Sequence, residues 1–456
     1  MSPLISPAVS PSRSTSTAPT WRALRALARR DGRELWSSRA ALLFFVMMGP
    51  LVGHAFITAV RAYAEVSGAA GGPAALAQGL SPLDGIVVPT FGAYALSAAL
   101  LFPFVVIRLV ATEKESGAWR LALQAPVGVG VQLAVKGGVL LAAWVVSWLP
   151  GCLALALWSS YGGHLAAPEV ATVLAGHLWR GLLVIGVGAL AAAVTDGAAS
   201  AAVVALACTL GGWALDFAAQ VNGGVLQAVA RFTPDAALRP FERGELRGDV
   251  TAVAVIVACG LLALAAAWWH PGRAMPRRLA RGGAVLLVTT LAAVAGARWP
   301  GSIDTSEDRR NSFARGDERA LSTIGAPLHV TVHLAPEDPR LADLERGVLR
   351  KLQRSMRHVV VDYAATTSTG LFERPRGTYG EIWYELGGKR VMQRSSIERV
   401  VLETIYALAG VSAPPVEEGA AYTGYPLRAA PLGAAWLFYL LWPTLVIALW
   451  WWRRTR

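Results

Sequence analysis

The chain has 456 residues and a formal net charge of +12, and 54% of its residues are hydrophobic whereas only 16% are charged. Soluble domains usually have about a quarter of their residues charged, so this composition argues against an ordinary soluble protein and indicates a polytopic membrane protein. The arginines stand beside long apolar runs, and we therefore interpret the positive charge as a signal of membrane orientation and expect no nucleic-acid partner.

The N-terminal 39 residues contain no membrane span. Residues 1–20 are rich in Ser, Pro and Thr and lack an apolar core, which predicts a flexible tail and no cleaved signal peptide. Residues 20–38 combine arginines with apolar residues spaced along one helical face, namely Trp21, Leu24, Ala28 and Leu35. That pattern predicts an amphipathic helix in the membrane interface, where the arginines contact anionic lipid headgroups.

Eight stretches of the chain are candidates for membrane-spanning helices, because a bilayer requires about 20 mostly apolar residues per helix. The seventh stretch is short and Pro443 interrupts the eighth, so these two are the weakest of the set. The stretches cover residues 40–60, 86–110, 136–158, 170–194, 198–219, 250–269, 283–299 and 431–452.

The distribution of Lys and Arg predicts the orientation of these spans. Eight spans bring the N-terminal arginines, the loop between the sixth and seventh spans and the C-terminus to one side, and all three are rich in arginine. Because positive charge accumulates on the cytoplasmic side, we expect both termini in the cytoplasm and the chain in a bacterial inner membrane. On the opposite side, the loop at residues 221–248 also carries arginines, interspersed with acidic residues.

Residues 300–430 differ in composition from the rest of the chain, with alternating charges and short runs of β-branched residues. Period-two alternation predicts strands and wider apolar spacing predicts helices, which together give a small α/β domain outside the membrane. The Gly387-Gly388 pair predicts a turn after the third strand. The predicted elements are strands at 328–334, 359–363 and 381–386 and helices at 341–356 and 396–408.

The segment between the second and third spans, residues 111–136, carries the most specific motif of the chain. It resembles the signature of ABC-2 type permeases, in which acidic residues, a Gly, a helix and a Pro connect two spans and a Lys opens the next. Ala118 stands where that family usually has Thr. The residues that match the signature are Glu113, Glu115, Gly117, Leu121, Pro126 and Lys136.

Membership of the ABC-2 family would make this segment a coupling helix that docks on an ATPase subunit, and the N-terminal helix would touch the same subunit. The chain has no GxxxxGK[ST] sequence, so ATP and Mg²⁺ are expected on that separate chain, and we expect neither a bound cofactor nor enzymatic activity here. Residues 40–282 would be a six-span permease half that needs a second half, from a second copy or a paralogue. The alternative is a charged interfacial loop of an unrelated membrane protein.

The start of the outer domain suggests a second family. The segments 303–313, 327–334 and 380–390 resemble the first third to half of the auxiliary domain of gliding-motility-associated (GldG-like) ABC systems, which implies an envelope protein as a further partner. Ala314 stands where that family has a Ser that caps a short helix against Asp317, so we expect the cap to be weakened or supplied by Ser312.

Polar residues inside the spans are functional candidates because burying them in lipid is costly. His177 and Arg180 lie in the fourth span and Asp216 lies in the fifth. Since a short turn joins these spans, we expect an Arg180–Asp216 ion pair as a structural staple. Two alternatives remain: Arg180 and His177 line a translocation path, or Arg180 reaches the membrane surface.

The sequence does not predict a metal site or a disulfide. The three cysteines lie in apolar stretches without paired spacing, and His329 and His333 on one strand lack a completing ligand. Two functional hypotheses follow. The chain is a permease subunit of an exporter, or it belongs to an ATP-driven envelope complex that moves no solute and uses the outer domain as an interaction module.

Overall fold

A computed structural model describes most of the chain. The described residues are 21–67, 79–117, 119, 127–222, 226, 229–230, 233–269, 274–299, 301–335, 338–364, 379–415, 422–427 and 433–455. The predicted tail at residues 1–20 and two residues of the ABC-2 signature, Leu121 and Pro126, lie outside this set.

Within the described residues, eight helices are long and apolar enough to cross a membrane, which confirms the predicted spans and makes the chain a multi-pass membrane protein by length and composition. The seventh span is not short, because it begins at Met275 and includes the arginines that precede the apolar stretch. In chain order the spans are Arg39–Val66, Leu83–Glu115, Val129–Ser160, Ala167–Val194, Ala198–Ala219, Gly248–Trp268, Met275–Gly296 and Ala434–Arg454.

Contacts between connecting segments define two faces of the molecule. On one, the N-terminal face, the Arg453 guanidinium lies 5.6 Å from the Trp36 ring, and the Glu115 carboxylate accepts from the Ala198 amide. On the other, the domain face, His164 contacts Glu307. Both chain ends of the helical bundle therefore meet at the N-terminal face, as eight crossings require.

We expect the domain face to be labelled by a thiol reagent that is added outside the cell. In a chain whose three cysteines are replaced by alanine, Ser322→Cys and Ser37→Cys place single exposed thiols on the domain face and the N-terminal face. A membrane-impermeant maleimide added to intact cells should label Ser322→Cys, and it should label Ser37→Cys only after permeabilisation. The reverse pattern would contradict the predicted orientation.

The second and fourth spans form the centre of the bundle, each with 67% of its apolar window buried, compared with 11% for the seventh and eighth. Gly181 permits the close approach of the third and fourth spans, since a Cβ there would lie 2.5 Å from Trp144. The first and eighth spans approach in the same way, because Gly49 faces Trp442 without a side chain between them. The eighth span therefore packs directly on the first, although the two are far apart in the sequence.

The outer domain has four strands, β3 (Leu328–Val332), β4 (Val359–Tyr363), β5 (Ile382–Leu386) and β6 (Lys389–Gln393). They form one sheet of order β4-β3-β5-β6, in which β3 and β4 are parallel and the other pairs are antiparallel. The helices of the domain are α3 (Arg315–Thr323), α4 (the contiguous segments Pro339–Leu344, Glu345–Leu349 and Arg350–Ser355) and α5 (Glu398–Ala409). Alternate residues of β3 and β5 are buried, which confirms the predicted strands.

Strand β6 was not predicted, although the sequence contains its signal. Gly387 and Gly388 have φ values of 59° and 80°, which match the two-residue turn that joins antiparallel strands in register. Residues 389–393 are mostly exposed and carry no period-two pattern, so only the turn indicated a hairpin.

Two three-residue strands lie next to the membrane at the domain face and are too short for a periodic signal. Strand β1 (Glu245–Arg247) ends immediately before the sixth span, and β2 (Ser302–Asp304) begins shortly after the seventh. They pair antiparallel, and they tie the outer domain to the loop at residues 221–248.

The expected cap of α3 is not supplied by Ser312. The Ser312 hydroxyl donates to Asp304 instead, and Ala314, at the position before the helix, makes no side-chain hydrogen bond. Asp317 accepts a hydrogen bond of 2.7 Å from the hydroxyl of Tyr406 in α5, so it connects two helices of the domain.

Candidate functional site

A buried cluster of charged residues joins three helices at the N-terminal face. The ammonium of Lys136, at the start of the third span, lies 3.2 Å from Asp31 and 3.1 Å from Glu113. Arg30 also contacts Glu113, and all members except Arg30 are buried. We call Arg30, Asp31, Glu113 and Lys136 the Lys136 cluster. Its two cations offset its two carboxylates, as buried charges require, and the half-buried Glu34 adds a third carboxylate within 4.8 Å of those of Asp31 and Glu113.

Asp31 reaches this cluster because it lies on the inward face of helix α1 (Trp21–Ser37). Leu24, Ala28 and Leu35 share that face, and Leu35 is buried, whereas Trp21 at the helix start is 65% exposed. The signal for this contact in the sequence is an acidic residue, Asp31, within the apolar stripe of the helix.

A single residue, Ser38, turns the chain from α1 into the first span. The Ser38 hydroxyl accepts a hydrogen bond from the Ala41 amide and donates to the Leu35 carbonyl, so it caps both helix ends. The Trp36 ring stacks on Phe45 with centroids 4.8 Å apart. These contacts hold α1 at a fixed angle to the bundle.

The end of the second span also contacts the turn between the fourth and fifth spans. Lys114 donates to the Ala193 carbonyl at 3.1 Å, and the exposed Glu115 accepts from the Ala198 amide at 2.6 Å. Gly117 follows with a φ of 72°, a conformation that suits glycine after a helix end. The segment around Glu113 is therefore connected to α1, to the third span and to the fifth.

The acidic residues of the ABC-2 signature differ in exposure. The Glu113 side chain is buried and pairs with Lys136 within the chain. Among the acidic residues of the signature, only Glu115 is exposed. Lys136 is likewise buried, so its position in the signature corresponds to an internal contact.

The expected Arg180–Asp216 pair does not form. Arg180 binds Asp235 instead, with both Nε and Nη2 within 2.9 Å of one carboxylate oxygen, and Asp216 pairs with Arg239. Both new partners belong to helix α2 (Pro234–Glu242), which packs against the fourth and fifth spans. Thr233 caps α2 and Pro234 occupies its first turn, and this Thr-Pro pair is the signal in the sequence for the start of the helix.

His177 lies one helical turn from Arg180 and is fully buried. Its ring is 5.3 Å from those of Phe91 and Tyr94, and neither ring nitrogen has a hydrogen-bond partner among the described residues. Arg180 Nη1 and Asp235 Oδ2 also lack partners within that set. Three spans and α2 thus enclose polar atoms that one ion pair does not saturate.

The last residue of α2 adds a carboxyl group to this region. Burial raises the pKa of Glu242 to about 7, and Asp235 and Asp216 act in the same direction against the opposing effects of Arg180 and Arg239. A carboxyl group with a raised pKa therefore lies near the Arg180–Asp235 pair.

The outer domain is fastened to the spans by polar contacts at the domain face. His164, in the loop between the third and fourth spans, stacks on Tyr425 and lies 2.9 Å from the Glu307 carboxylate. Glu169, in the fourth span, accepts from the Glu307 amide at 2.7 Å. Arg310 reaches Asp84 at the start of the second span. The domain is thus connected directly to the central second and fourth spans.

Comparisons of the chain with known protein families, with curated proteins and with solved structures found no significant match.

Proposed function

We propose that this chain is the membrane-spanning subunit of an ABC-2 type exporter whose ATPase is a separate protein. The observation that supports this most is the Lys136 cluster, which joins α1 to the ends of the second and third spans beside the ABC-2-like segment. An exporter needs a rigid connection between an attached ATPase and the spans, and buried ion pairs in a packed core provide one.

In the proposed mechanism, ATP binding closes the ATPase dimer and displaces the segment around Glu115 at the N-terminal face, which is cytoplasmic. Because Glu115 and Lys114 contact the turn between the fourth and fifth spans, the displacement carries the fifth span along with the second. The fourth span holds both Arg180 and Glu169, so the movement reaches α2 and the outer domain. A second permease half, from the same chain or a paralogue, completes the pathway.

The attachment of the outer domain favours a second candidate function. A domain held to the second and fourth spans through Arg310 and Glu307 can receive motion from the membrane even if nothing is transported. In that case the complex acts on an envelope protein, and the outer domain is its point of contact.

The proposal predicts an ATPase that purifies with the chain. Affinity purification from the membranes of the native host in mild detergent should recover a P-loop protein, identified by peptide sequencing, together with vanadate-sensitive ATP hydrolysis. Glu115→Lys should reduce the recovered hydrolysis about tenfold, because it reverses an exposed charge at the proposed contact. Its control is Glu403→Lys, the same charge change at an exposed site of the outer domain.

Recovery of the chain without any P-loop protein would contradict the proposed function. Equal ATPase recovery with Glu115→Lys and Glu403→Lys would instead show that the segment after the second span is not the contact.

A further inference from the structure

A polar cleft of about 650 Å³ lies in the outer domain where it meets the membrane. It lies between the segment that follows β2 and the helices α3 and α4, and it opens to solvent. Every described residue that lines it is polar or charged, which indicates a hydrophilic ligand. Its lining consists of five serines, three arginines and two acidic residues, namely Ser302, Ser306, Ser312, Ser322, Ser355, Arg309, Arg315, Arg354, Asp304 and Glu318.

The three arginines of the cleft are poorly neutralised. Arg309 and Arg354 share the single carboxylate of Glu318, at 3.6 Å and 3.4 Å. Charge-assisted hydrogen bonds to carboxylates are normally about 2.7–2.9 Å long, so both contacts are weak. Arg315 is exposed and has no ion pair or side-chain hydrogen bond in the described part of the chain.

The second acidic residue, Asp304, offers few free lone pairs to a ligand, because hydrogen bonds within the protein already occupy both of its oxygens. The hydroxyls of Ser306 and Ser312 donate to its two oxygens, and backbone and side-chain groups of Asn311 add further hydrogen bonds. Although burial opposes it, these hydrogen bonds hold the pKa of the Asp304 carboxyl below its usual value. Asp304 is therefore ionised, and the three guanidinium groups of the lining face two carboxylates, which leaves a formal charge of +1.

Two local features indicate that the cleft is shaped for binding. Arg309 has a φ of 53° and is the only non-glycine residue with positive φ in the described residues, a conformation that costs about 1–2 kcal/mol and often occurs at binding sites. The hydroxyl oxygen of Ser355 is buried at the cleft and has no hydrogen-bond partner within the same set. A bound oxyanion would provide that partner.

The cleft lies at the membrane surface. Strand β2, which contributes Ser302 and Asp304, pairs with β1, and β1 leads directly into the sixth span. Trp299 and Ile303 beside it are 64% and 62% exposed, as expected of apolar side chains in the membrane interface. A group in the cleft can therefore reach it from the headgroup layer or from the solution.

We propose that this cleft binds a phosphate group, carried by an anionic phospholipid headgroup or by a soluble phosphorylated compound. Arginine recognises phosphate through several N–H donors in a fixed fork, and three such forks converge here with the free Ser355 hydroxyl. This site does not depend on the proposed transport function.

Binding can be measured on the full chain in two arms, one in lipid nanodiscs and one in detergent. With zwitterionic phosphatidylcholine nanodiscs, titration with glycerol 3-phosphate tests the soluble source. With detergent-solubilised protein and added phosphatidylglycerol, native mass spectrometry counts retained lipids and tests the headgroup source. In whichever arm the wild-type chain binds, Arg315→Ala should weaken binding about tenfold, since it removes one charged contact from an exposed position.

The matched control is Arg319→Ala, which removes the same charge from an exposed residue of α3 outside the cleft lining. Binding in the glycerol 3-phosphate arm that depends on Arg315 supports a soluble ligand, and such binding only in the phosphatidylglycerol arm supports a lipid headgroup. Equal losses with Arg315→Ala and Arg319→Ala, or no binding in either arm, would overturn the proposal.

Discussion

Lys136→Met should release helix α1 from the bundle and destabilise the purified protein by about 3–5 kcal/mol, because it leaves the buried carboxylates of Asp31 and Glu113 without their shared cation. Two measurements check this. Thermal unfolding in detergent, followed by tryptophan fluorescence, should occur at a lower temperature. Trypsin should cut α1 faster at its arginines, because a helix that detaches becomes accessible to the protease.

Two further variants separate the loss of the ion pairs from a general effect of mutation. Arg29→Ala removes an exposed charge of α1, and it should change neither the unfolding temperature nor the rate of cutting at the remaining arginines of α1. Combining Lys136→Met with Glu113→Gln leaves Arg30 and Asp31 as a balanced pair and should recover part of the stability. If the double variant is as unstable as Lys136→Met alone, charge balance is not what holds α1 in place.

Asp235→Asn should be more damaging than Arg180→Met, although both break the same buried pair. The two variants differ because a lone aspartate can be neutralised by a proton and a lone arginine cannot. An isolated Asp235 can take up a proton and become neutral, whereas the Arg180 guanidinium keeps its charge and would remain unpaired within the fourth span. We expect about 3–5 kcal/mol of lost stability for Asp235→Asn, seen as a loss of monodisperse protein on size-exclusion chromatography.

The double variant Arg180→Met with Asp235→Leu removes both charges and should return the protein to the monodisperse peak, which keeps the prediction testable if Asp235→Asn fails to fold. Asp216→Asn is the comparison at a more accessible site, since its partner Arg239 is 35% exposed and can turn to water. Equal loss from Asp235→Asn and Asp216→Asn would argue that Arg180 is already hydrated or paired elsewhere.

The sequence by itself determined the membrane spans, because spanning a bilayer is a local property. Each span must satisfy its own backbone hydrogen bonds, which a helix does, and it must expose apolar side chains over about 20 residues. The hydropathy of the sequence shows directly where such apolar stretches lie. The same holds for β3 and β5, whose alternation follows from one buried face. The Gly387-Gly388 turn is also a local signal, and it indicates that a further strand, β6, follows β5 as a hairpin.

Only the tertiary structure decided which charged residues are partners. Lys136 meets Asp31 across 105 positions of the chain, and Arg180 meets Asp235 across 55. The expected pair of Arg180 with Asp216 was inferred from the turn between adjacent spans, but α2 lies against the same spans and supplies an aspartate to one and an arginine to the other. Ion pairing depends on distances of a few ångströms between separate elements, and sequence spacing contains no such distances.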